Sequence, residues 1–305
     1  MIRDQVSLAV HDHGGEGTPL LLLHGAGRTL ADWAAVAPLL ARHHRVLAVD
    51  LRGHGLSPDG TWSVPGVLGD IEAVLARHGI PEALPVGHSL GGMLAVRYAL
   101  AHPDRTPAAV NLDGYGWGRP DRYVGLDPTD VEEWLSRMRE LASQTSGRIL
   151  PRGGLADLLA EQRAMSGRLG IPYELLEAGV RRSLHERADG RLELRPGREH
   201  ALEMQAEIHS LDLLGLFRRM DRPLLLGRAL RPAPPVPGID RFDELMAARA
   251  TGLAQDLAEL AERHSEVTVA GIDGTHAMLL ENPRAVADVI LEFAARLPGT
   301  RRPSL

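Results

Sequence analysis

Short apolar runs alternate with amphipathic stretches through the first third of the chain. Residues 19–23 and 45–50 are largely apolar, which is typical of parallel strands buried on both faces of a sheet. Residues 6–10 instead alternate between polar and apolar side chains, as an edge strand does. The pattern predicts strands at 6–10, 19–23, 45–50, 84–86 and 106–112, with helices at 29–43, 67–78 and 93–102 between them.

The alternation stops at Gly114 and returns only at residue 222. Between these points the helical spacing of apolar residues predicts helices at 129–144, 154–169, 173–187 and 200–220, with one extended piece at 191–194. A strand at 222–227, a Pro-rich loop at 231–238, a helix at 242–264, a strand at 266–272 and a helix at 283–297 follow. This order predicts an α/β fold with a mostly parallel, doubly wound sheet, formed by residues 1–114 and 222–305 and interrupted by a helical insertion at 115–221.

Composition and charge narrow the classes of partner. The 305 residues carry 34 basic and 40 acidic side chains, a formal net charge of −6, so we expect no binding to nucleic acid or an anionic membrane. The absence of cysteine excludes disulfides and thiolate chemistry. Residues 1–5 lack a signal-peptide core, and no apolar run reaches the roughly 18–20 residues that span a bilayer. All the basic residues are arginine, which favours a bacterial protein, and we expect it in the cytoplasm.

The segment Gly87-His88-Ser89-Leu90-Gly91 is a Gly-x-Ser-x-Gly pentapeptide between an apolar run and an amphipathic stretch. A strand, a sharp turn and a helix in this order place a serine hydroxyl at the tip of the turn, beside free N–H groups of the helix N-terminus. Glycine on both sides of the serine lets strand and helix approach closely. The alternative is an ordinary Gly-rich turn between a strand and a helix. Segments elsewhere in the chain are needed to distinguish it from a turn that presents a nucleophilic serine.

Four short segments follow one another along the chain: His24-Gly25 after a strand, Asp50-Leu51-Arg52-Gly53-His54-Gly55, Gly87-His88-Ser89-Leu90-Gly91-Gly92 and Gly274-Thr275-His276. On these segments and their order the whole chain resembles the α/β-hydrolase fold family, in its form with a serine nucleophile and a helical cap. The resemblance implies that residues 115–221 form the cap, that Ser89 is the nucleophile and that His276 is its base. A polar loop residue is the alternative role for His276.

The resemblance also implies a catalytic triad, in which a carboxylate orients the base His276, but the position of this carboxylate is not obvious. Family members most often carry it just after the strand that here is residues 223–226, but residues 227–232 contain no carboxylate. Others carry it one strand earlier, which implies Asp113, directly after residues 109–112. Asp240 and Asp243, further along the loop, stay as alternative acids. Asp113 could also simply cap a turn with the glycine that follows it.

The resemblance also implies an oxyanion hole and a substrate pocket. The two backbone N–H donors of the oxyanion hole are expected to be those of Ala26 and Leu90. His24 and His54 are expected to brace loops, and no histidine or carboxylate spacing indicates a metal site, so we expect neither metal nor cofactor. Because only 4 % of the residues are aromatic, their positions suggest the pocket, which we expect to be lined by His88, Tyr115, Trp117 and Trp134, with Tyr123 and Met138 as further candidates. The alternative is that these side chains fill the core or, for His88, lie beneath the turn.

A serine nucleophile favours acyl transfer over the carboxylate-based chemistry of the dehalogenases and epoxide hydrolases of this fold. We therefore expect an ester, thioester or lactone of a small molecule as substrate, and a monomer or homodimer as the acting species. This fold supports many different reactions, so the alternative is another reaction at the same site: carbon–carbon bond hydrolysis, acyl transfer or cyclisation. A third hypothesis is a receptor that binds its ligand without converting it.

Overall fold

The described part of the chain forms one large sheet and one small one. The structure, a computed structural model, describes residues 6–145, 147–235 and 240–297. Within them the strands are β1 (Val10–Asp12), β2 (Leu20–Leu23), β3 (Val46–Val49), β4 (Leu84–His88), β5 (Ala109–Leu112), β6 (Ile149–Leu150), β7 (Leu184–Glu186), β8 (Leu192–Leu194), β9 (Leu224–Ala229) and β10 (Val267–Ile272). Three stretches named in the sequence analysis lie outside the described residues. They are residues 1–5, residues 236–238 at the end of the Pro-rich loop, and residues 298–305, which follow the last predicted helix.

Helices pack on both sides of the large sheet and fill the insertion. The large sheet has the order β1-β3-β2-β4-β5-β9-β10, in which β1 is antiparallel to β3 and every other neighbouring pair is parallel. This confirms the predicted mostly parallel α/β fold. The helices are α1 (Ala37–Leu40), α2 (Val64–Arg77), α3 (Leu90–Ala101), α4 (Pro128–Thr145), α5 (Gly154–Leu169), α6 (Tyr173–Ser183), α7 (Arg198–His209), α8 (Leu213–Arg218), α9 (Phe242–Arg263), α10 (Met278–Glu281) and α11 (Pro283–Ala294).

The core lies on the two faces of this sheet. Successive side chains of a strand point to opposite faces, and β2 shows the consequence. Leu20 and Leu22 pack in the cluster that contains the apolar face of α11, whereas Leu21 and Leu23 pack against α2 and α3. Each of the four is at most 1 % exposed. At about 1.5–3 kcal/mol for each buried leucine side chain, β2 is a major contributor to stability.

Several predicted elements differ in their bounds. The predicted edge strand is present as β1 but lies at Val10–Asp12 and not at 6–10, because pairing with β3 begins only at Val10. The predicted helix at 29–43 is a 3-10 turn, Leu30–Trp33, followed by the single-turn α1, whose Pro38 has no N–H for a continuous helix. The predicted helix at 200–220 is interrupted between α7 and α8, where the Asp212 carboxylate accepts a hydrogen bond from the amide of Gly215 at 3.1 Å.

The insertion between β5 and β9 contains more than helices. Strands β6, β8 and β7 form an antiparallel three-stranded sheet beside α4–α8. The predicted helix at 173–187 ends at Ser183, because Leu184–Glu186 pairs with β8. Arg182 of α6 donates through Nε to the buried Asp50 carboxylate at 2.8 Å, which ties the insertion to the loop after β3. Among the described helices, none is long and apolar enough to cross a membrane.

Candidate active site

Ser89 lies at the sharp turn between β4 and α3. Its backbone has φ 54° and ψ −119°, a region that residues with a side chain rarely adopt. Its amide donates to the carbonyl of Leu112 at 2.8 Å, which fixes the turn to the neighbouring strand β5. Strain of this kind costs about 1–3 kcal/mol and persists where surrounding structure enforces it. The predicted strand, turn and helix are therefore present around this serine.

Glycines around Ser89 make this turn possible. A Cβ atom on Gly87 would overlap the carbonyl of Gly91, and a Cβ atom on Gly91 would overlap the carbonyl of Leu23 at the end of β2. Both overlaps involve backbone atoms, so relieving them would require a shift of α3 in the first case and of β2 in the second. These contacts are the physical reason for the two glycines of the pentapeptide.

His276 and Asp113 lie next to each other after β10 and β5. His276 Nδ1 lies 2.6 Å from Asp113 Oδ2, and the other carboxylate oxygen, Oδ1, accepts from the amide of Ala229 at 3.0 Å. Burial raises the pKa of Asp113, but the hydrogen bond and charge of His276 and the Ala229 amide outweigh it and lower the pKa to about 2. An ionised carboxylate only accepts hydrogen bonds, so Nδ1 of His276 is the donor in this bond, and Nε2 is the ring nitrogen left for another partner.

Ser89 and His276 line one cavity of about 300 Å³, which we call the serine cavity. Among the described residues no hydrogen bond joins the Ser89 hydroxyl to the His276 ring, whose side chain is 51 % exposed. Such bonds are often absent without substrate and form in the complex. The cavity is also lined by Gly25, Ala26, Arg28, Asp32, His88, Met165, Leu169, Ile171, Leu176, Ala233, Pro234, Thr275, Ala277, Leu279 and Leu280.

The two predicted oxyanion donors lie beside Ser89. Leu90 is the first residue of α3, and Ala26 follows β2 and lines the serine cavity. Within the described chain neither amide has a hydrogen-bond acceptor. The first N–H groups of a helix have no intrahelical partner, so the Leu90 amide is available to a ligand. The site therefore contains free backbone donors next to the strained serine.

His24 and His54 brace the loops behind this site. His24 Nδ1 donates to the carbonyl of Gly25 at 2.7 Å, while Nε2 accepts from the amide of Leu51 at 2.9 Å. His54 Nδ1 donates to the carbonyl of Arg52 at 2.9 Å and Nε2 accepts from Gly27 at 3.1 Å. Burial lowers the pKa of His24 to about 4 and that of His54 to about 3, so both rings are neutral. These bonds agree with the expected bracing role.

His88 lies beneath the turn and also lines the serine cavity. Its Nε2–H donates to the carbonyl of His276 at 2.8 Å, and the two rings are 4.7 Å apart between centroids. Burial, and next the charge of His276, lower the pKa of His88 to about 3. The neutral ring thus fixes the backbone of His276, while its own side chain is only 5 % exposed.

We expect the protein to lose stability in mild acid because of these three buried histidines. Below pH about 6.5 the unfolded chain binds a proton at each position that the folded chain does not, which costs about 1.4 kcal/mol per pH unit and histidine. His24, His54 and His88 together give about 4 kcal/mol per pH unit, down to pH about 4. Urea unfolding at pH 7.0, 6.0 and 5.0 measures this, and His88→Gln should reduce the slope by a third. An unchanged free energy of unfolding would contradict it.

The predicted aromatic substrate-binding residues do not line the serine cavity. Tyr115 is 6 % exposed, donates through its hydroxyl to the carbonyl of Gly227 at 2.9 Å and packs against Phe217. Trp134 is 7 % exposed and packs against Trp117, Tyr123, Phe242 and, in the same cluster, the partly buried Met138. Tyr115 and Trp134 fill apolar clusters, as the alternative proposed, whereas Trp117 is exposed and contacts the Trp134 ring from outside its cluster. Of the four predicted residues only His88 lines the serine cavity.

The residues of the insertion that do line the serine cavity are aliphatic. Met165 and Leu169 come from the end of α5, Ile171 follows it, and Leu176 lies on α6. They form one apolar cluster with Leu280 of α10. Sequence reasoning missed them because apolar side chains at helical spacing look the same whether they face a core or a cavity.

Two further expectations concern the alternative acidic partners of His276 and the presence of a metal site. Asp240 and Asp243 are exposed and make no hydrogen bond to His276 within the described chain, whereas Asp113 does. A search of the described residues finds no group of three or more histidine, aspartate or glutamate side chains arranged to hold a metal ion.

Comparison with known proteins agrees with this geometry. The model of the alpha/beta hydrolase fold family matches residues 18–151. A pimeloyl-[acyl-carrier protein] methyl ester esterase of Xanthomonas campestris pv. campestris is 30 % identical over 284 residues, which cover 93 % of this chain and 98 % of that protein. A fluoroacetate dehalogenase of Burkholderia sp. is 40 % identical over 107 residues, only 35 % of its own length.

Solved structures share the whole fold. An alpha/beta hydrolase from Novosphingobium aromaticivorans matches with a TM-score of 0.66 at 26 % identity, covering 97 % of this chain and 98 % of that one. An E-2-(acetamidomethylene)succinate hydrolase matches with a TM-score of 0.69 at 19 % identity, covering 96 % and 98 %. The chain therefore belongs to the α/β-hydrolase fold family, and its relatives named as esterases and hydrolases support a hydrolase activity.

Proposed function

We propose that the protein is a serine hydrolase that cleaves a carboxylic ester, thioester or lactone of a small molecule through an acyl-enzyme on Ser89. The observation that carries the proposal is the 2.6 Å hydrogen bond between His276 Nδ1 and Asp113 Oδ2, formed beside a serine in strained backbone. The bond leaves the Nε2 lone pair of His276 free to act as a base in the cavity that Ser89 lines.

Each residue has a definite part in the proposed reaction. The Ser89 hydroxyl attacks the substrate carbonyl while Nε2 of His276 takes its proton, and the ionised Asp113 stabilises the resulting imidazolium. The amides of Ala26 and Leu90 donate to the oxygen that becomes negative in the tetrahedral intermediate. His276 then gives the proton to the leaving group, and a water molecule, activated by the same ring, hydrolyses the acyl-enzyme.

The identity of the nucleophile separates this proposal from displacement at a carbon–halogen bond. The chain resembles part of a dehalogenase, but it carries a serine at the tip of the turn. A serine hydroxyl activated by a histidine suits acyl transfer, whereas displacement at saturated carbon in this fold needs a carboxylate nucleophile. The net charge of −6 supports a small molecule as the partner rather than nucleic acid or an anionic membrane.

A fluorophosphonate probe tests the proposal directly, because it reacts only with an activated serine. We expect one label per chain, on the tryptic peptide 78–97, in which Ser89 is the only hydroxyl-bearing residue. Mass spectrometry of the digest identifies the peptide, and His276→Gln should prevent labelling of folded protein. Competition with acetyl, butyryl and octanoyl esters then ranks acyl groups. A label on another peptide, or no label on folded protein, would overturn the assignment.

A further inference from the structure

A second and larger cavity adjoins the serine cavity. It has a volume of about 450 Å³, and we call it the distal cavity. The two cavities share Ala26, Arg28 and Met165 in their walls, so the distal cavity lies next to the proposed oxyanion amide of Ala26. The distal cavity is otherwise lined by Gly27, Thr29, Ala142, Gly147, Leu158, Gln162, Gly179, Val180, Ser183, Leu194, Arg195, Pro196, Ala201, Met204 and Gln205.

The charge of this lining is one-sided. Among the described lining residues there are two arginines, Arg28 and Arg195, and no aspartate or glutamate. Gln162 and Gln205 add side-chain amides, each of which can donate and accept. Because arginine only donates and its bonds to a carboxylate are charge-assisted, this lining favours an anionic group over a cationic one.

Arg28 is oriented from behind by Asp32. Its Nε and Nη2 donate to the two carboxylate oxygens of Asp32, both at 2.7 Å. The Asp32 side chain is only 5 % exposed and that of Arg28 is 37 % exposed, and Arg28 lines both cavities whereas Asp32 lines the serine cavity and not the distal one. A guanidinium has five N–H donors, so Nη1 and the second proton of Nη2 remain available to a ligand.

Arg195 is held in a similar way from the loop after β3. Its Nη1 donates to the carbonyl of Gly55 at 3.0 Å, and its Nη2 pairs with Asp59. The arginine side chain is 11 % exposed whereas that of Asp59 is 58 % exposed, so solvent screens much of the partner's charge. Both guanidinium groups are thus immobilised before a ligand arrives, which lowers the entropic cost of binding.

We propose that the distal cavity binds a carboxylate of the substrate through Arg28 and Arg195, so that the preferred substrates are esters carrying an acidic group. Met165, Leu158 and Leu194 would contact the short aliphatic chain between the ester and the acid. This inference rests on the proposed serine hydrolase function, because it places the reacting carbonyl at Ser89.

Matched pairs of substrates test the inference. We compare p-nitrophenyl hemiglutarate with its neutral methyl ester, and 4-acetoxybenzoate with 4-acetoxybenzamide. In the first pair the anionic member carries its charge on the acyl group, and in the second pair it carries the charge on the leaving group. We expect kcat/KM to favour the anionic member of at least one pair by about tenfold or more, since charge-assisted bonds to arginine are strong. Arg28→Gln and Arg195→Gln should each lower this ratio about tenfold.

Arg191→Gln is the matched control for charge. Arg191 lies before β8 in the same insertion, pairs with Asp189 on the surface and does not line either cavity, so its loss should keep the ratio. Calorimetric binding of glutarate, but not glutaramide, to the Ser89→Ala variant gives a readout that needs no turnover, and Arg28→Gln should abolish it. Ser89-dependent hydrolysis of neutral esters with no anionic preference and no glutarate binding would overturn the inference and leave the hydrolase proposal intact. Glutarate binding without any Ser89-dependent hydrolysis would overturn the hydrolase proposal alone.

Discussion

Replacing Ser89 by alanine is expected to lower kcat for p-nitrophenyl esters by about 10⁵–10⁶-fold, as loss of a serine nucleophile does where it acts with a histidine. The variant loses the oxygen that forms the acyl-enzyme, and neither Asp113 nor His276 can replace it. The amides of Ala26 and Leu90 persist, which leaves a residual rate of about 10³-fold over water. Initial rates and burst-phase kinetics on wild type and variant measure the loss. A variant that keeps wild-type rates would show that the reaction does not pass through Ser89.

The stability of two Ser89 variants provides the control for folding. Alanine keeps the Cβ atom in the strained backbone at φ 54°, so Ser89→Ala should unfold at nearly the wild-type urea concentration. Ser89→Gly should be inactive but more stable by about 1 kcal/mol, because glycine adopts this conformation with less steric cost. An inactive Ser89→Ala variant that is also strongly destabilised would attribute the loss to misfolding instead.

The sheet was predictable because its strands are nearly uniform in character. Leu20–Leu23 is four leucines, and such a run fits only an element buried on both faces. The insertion was harder. The extended piece predicted at 191–194 is confirmed as β8, but β7, which has three residues and pairs with β8, was predicted as the end of a helix. A strand of three residues that directly follows a helix shows too few alternations for a period of two to stand out from the helical pattern.

In the candidate site, too, features set by nearby residues could be predicted from the sequence, whereas features set by distant segments could not. Ser89 lies in a turn whose glycines are required by contacts within a few residues and with β2, so a short motif encodes it. The walls of the serine cavity are encoded differently. Met165 and Ile171 line the cavity of Ser89 only because the insertion returns to the sheet, whereas Trp134 turns into a cluster with Phe242. The scarcity of aromatic residues in the sequence therefore pointed to a structural cluster and not to the walls of the serine cavity.

Changing Asp113 to asparagine is expected to lower kcat about 10⁴-fold with little change in stability. The amide of Ala229 donates to Oδ1 at 3.0 Å, so the asparagine carbonyl would take this position and its NH₂ group would face His276. A donor facing Nδ1 shifts the ring proton to Nε2, which removes the base that Ser89 needs. Asparagine tolerates the positive φ of 54° at this position, which preserves the turn.

Asp240→Asn and Asp243→Asn are the matched controls, because each removes one carboxylate from an exposed position without contact to His276. Both should keep kcat within about twofold of wild type, as surface changes away from a site do. Because the pKa of Asp113 is lowered to about 2, the wild-type carboxylate is fully charged from pH 5 to 9, so the titration of Asp113 itself should add no pH dependence to the wild-type rate across that range. If Asp240→Asn were inactive and Asp113→Asn active, the acid would be Asp240, and the hydrogen bond at Asp113 would only position the loop.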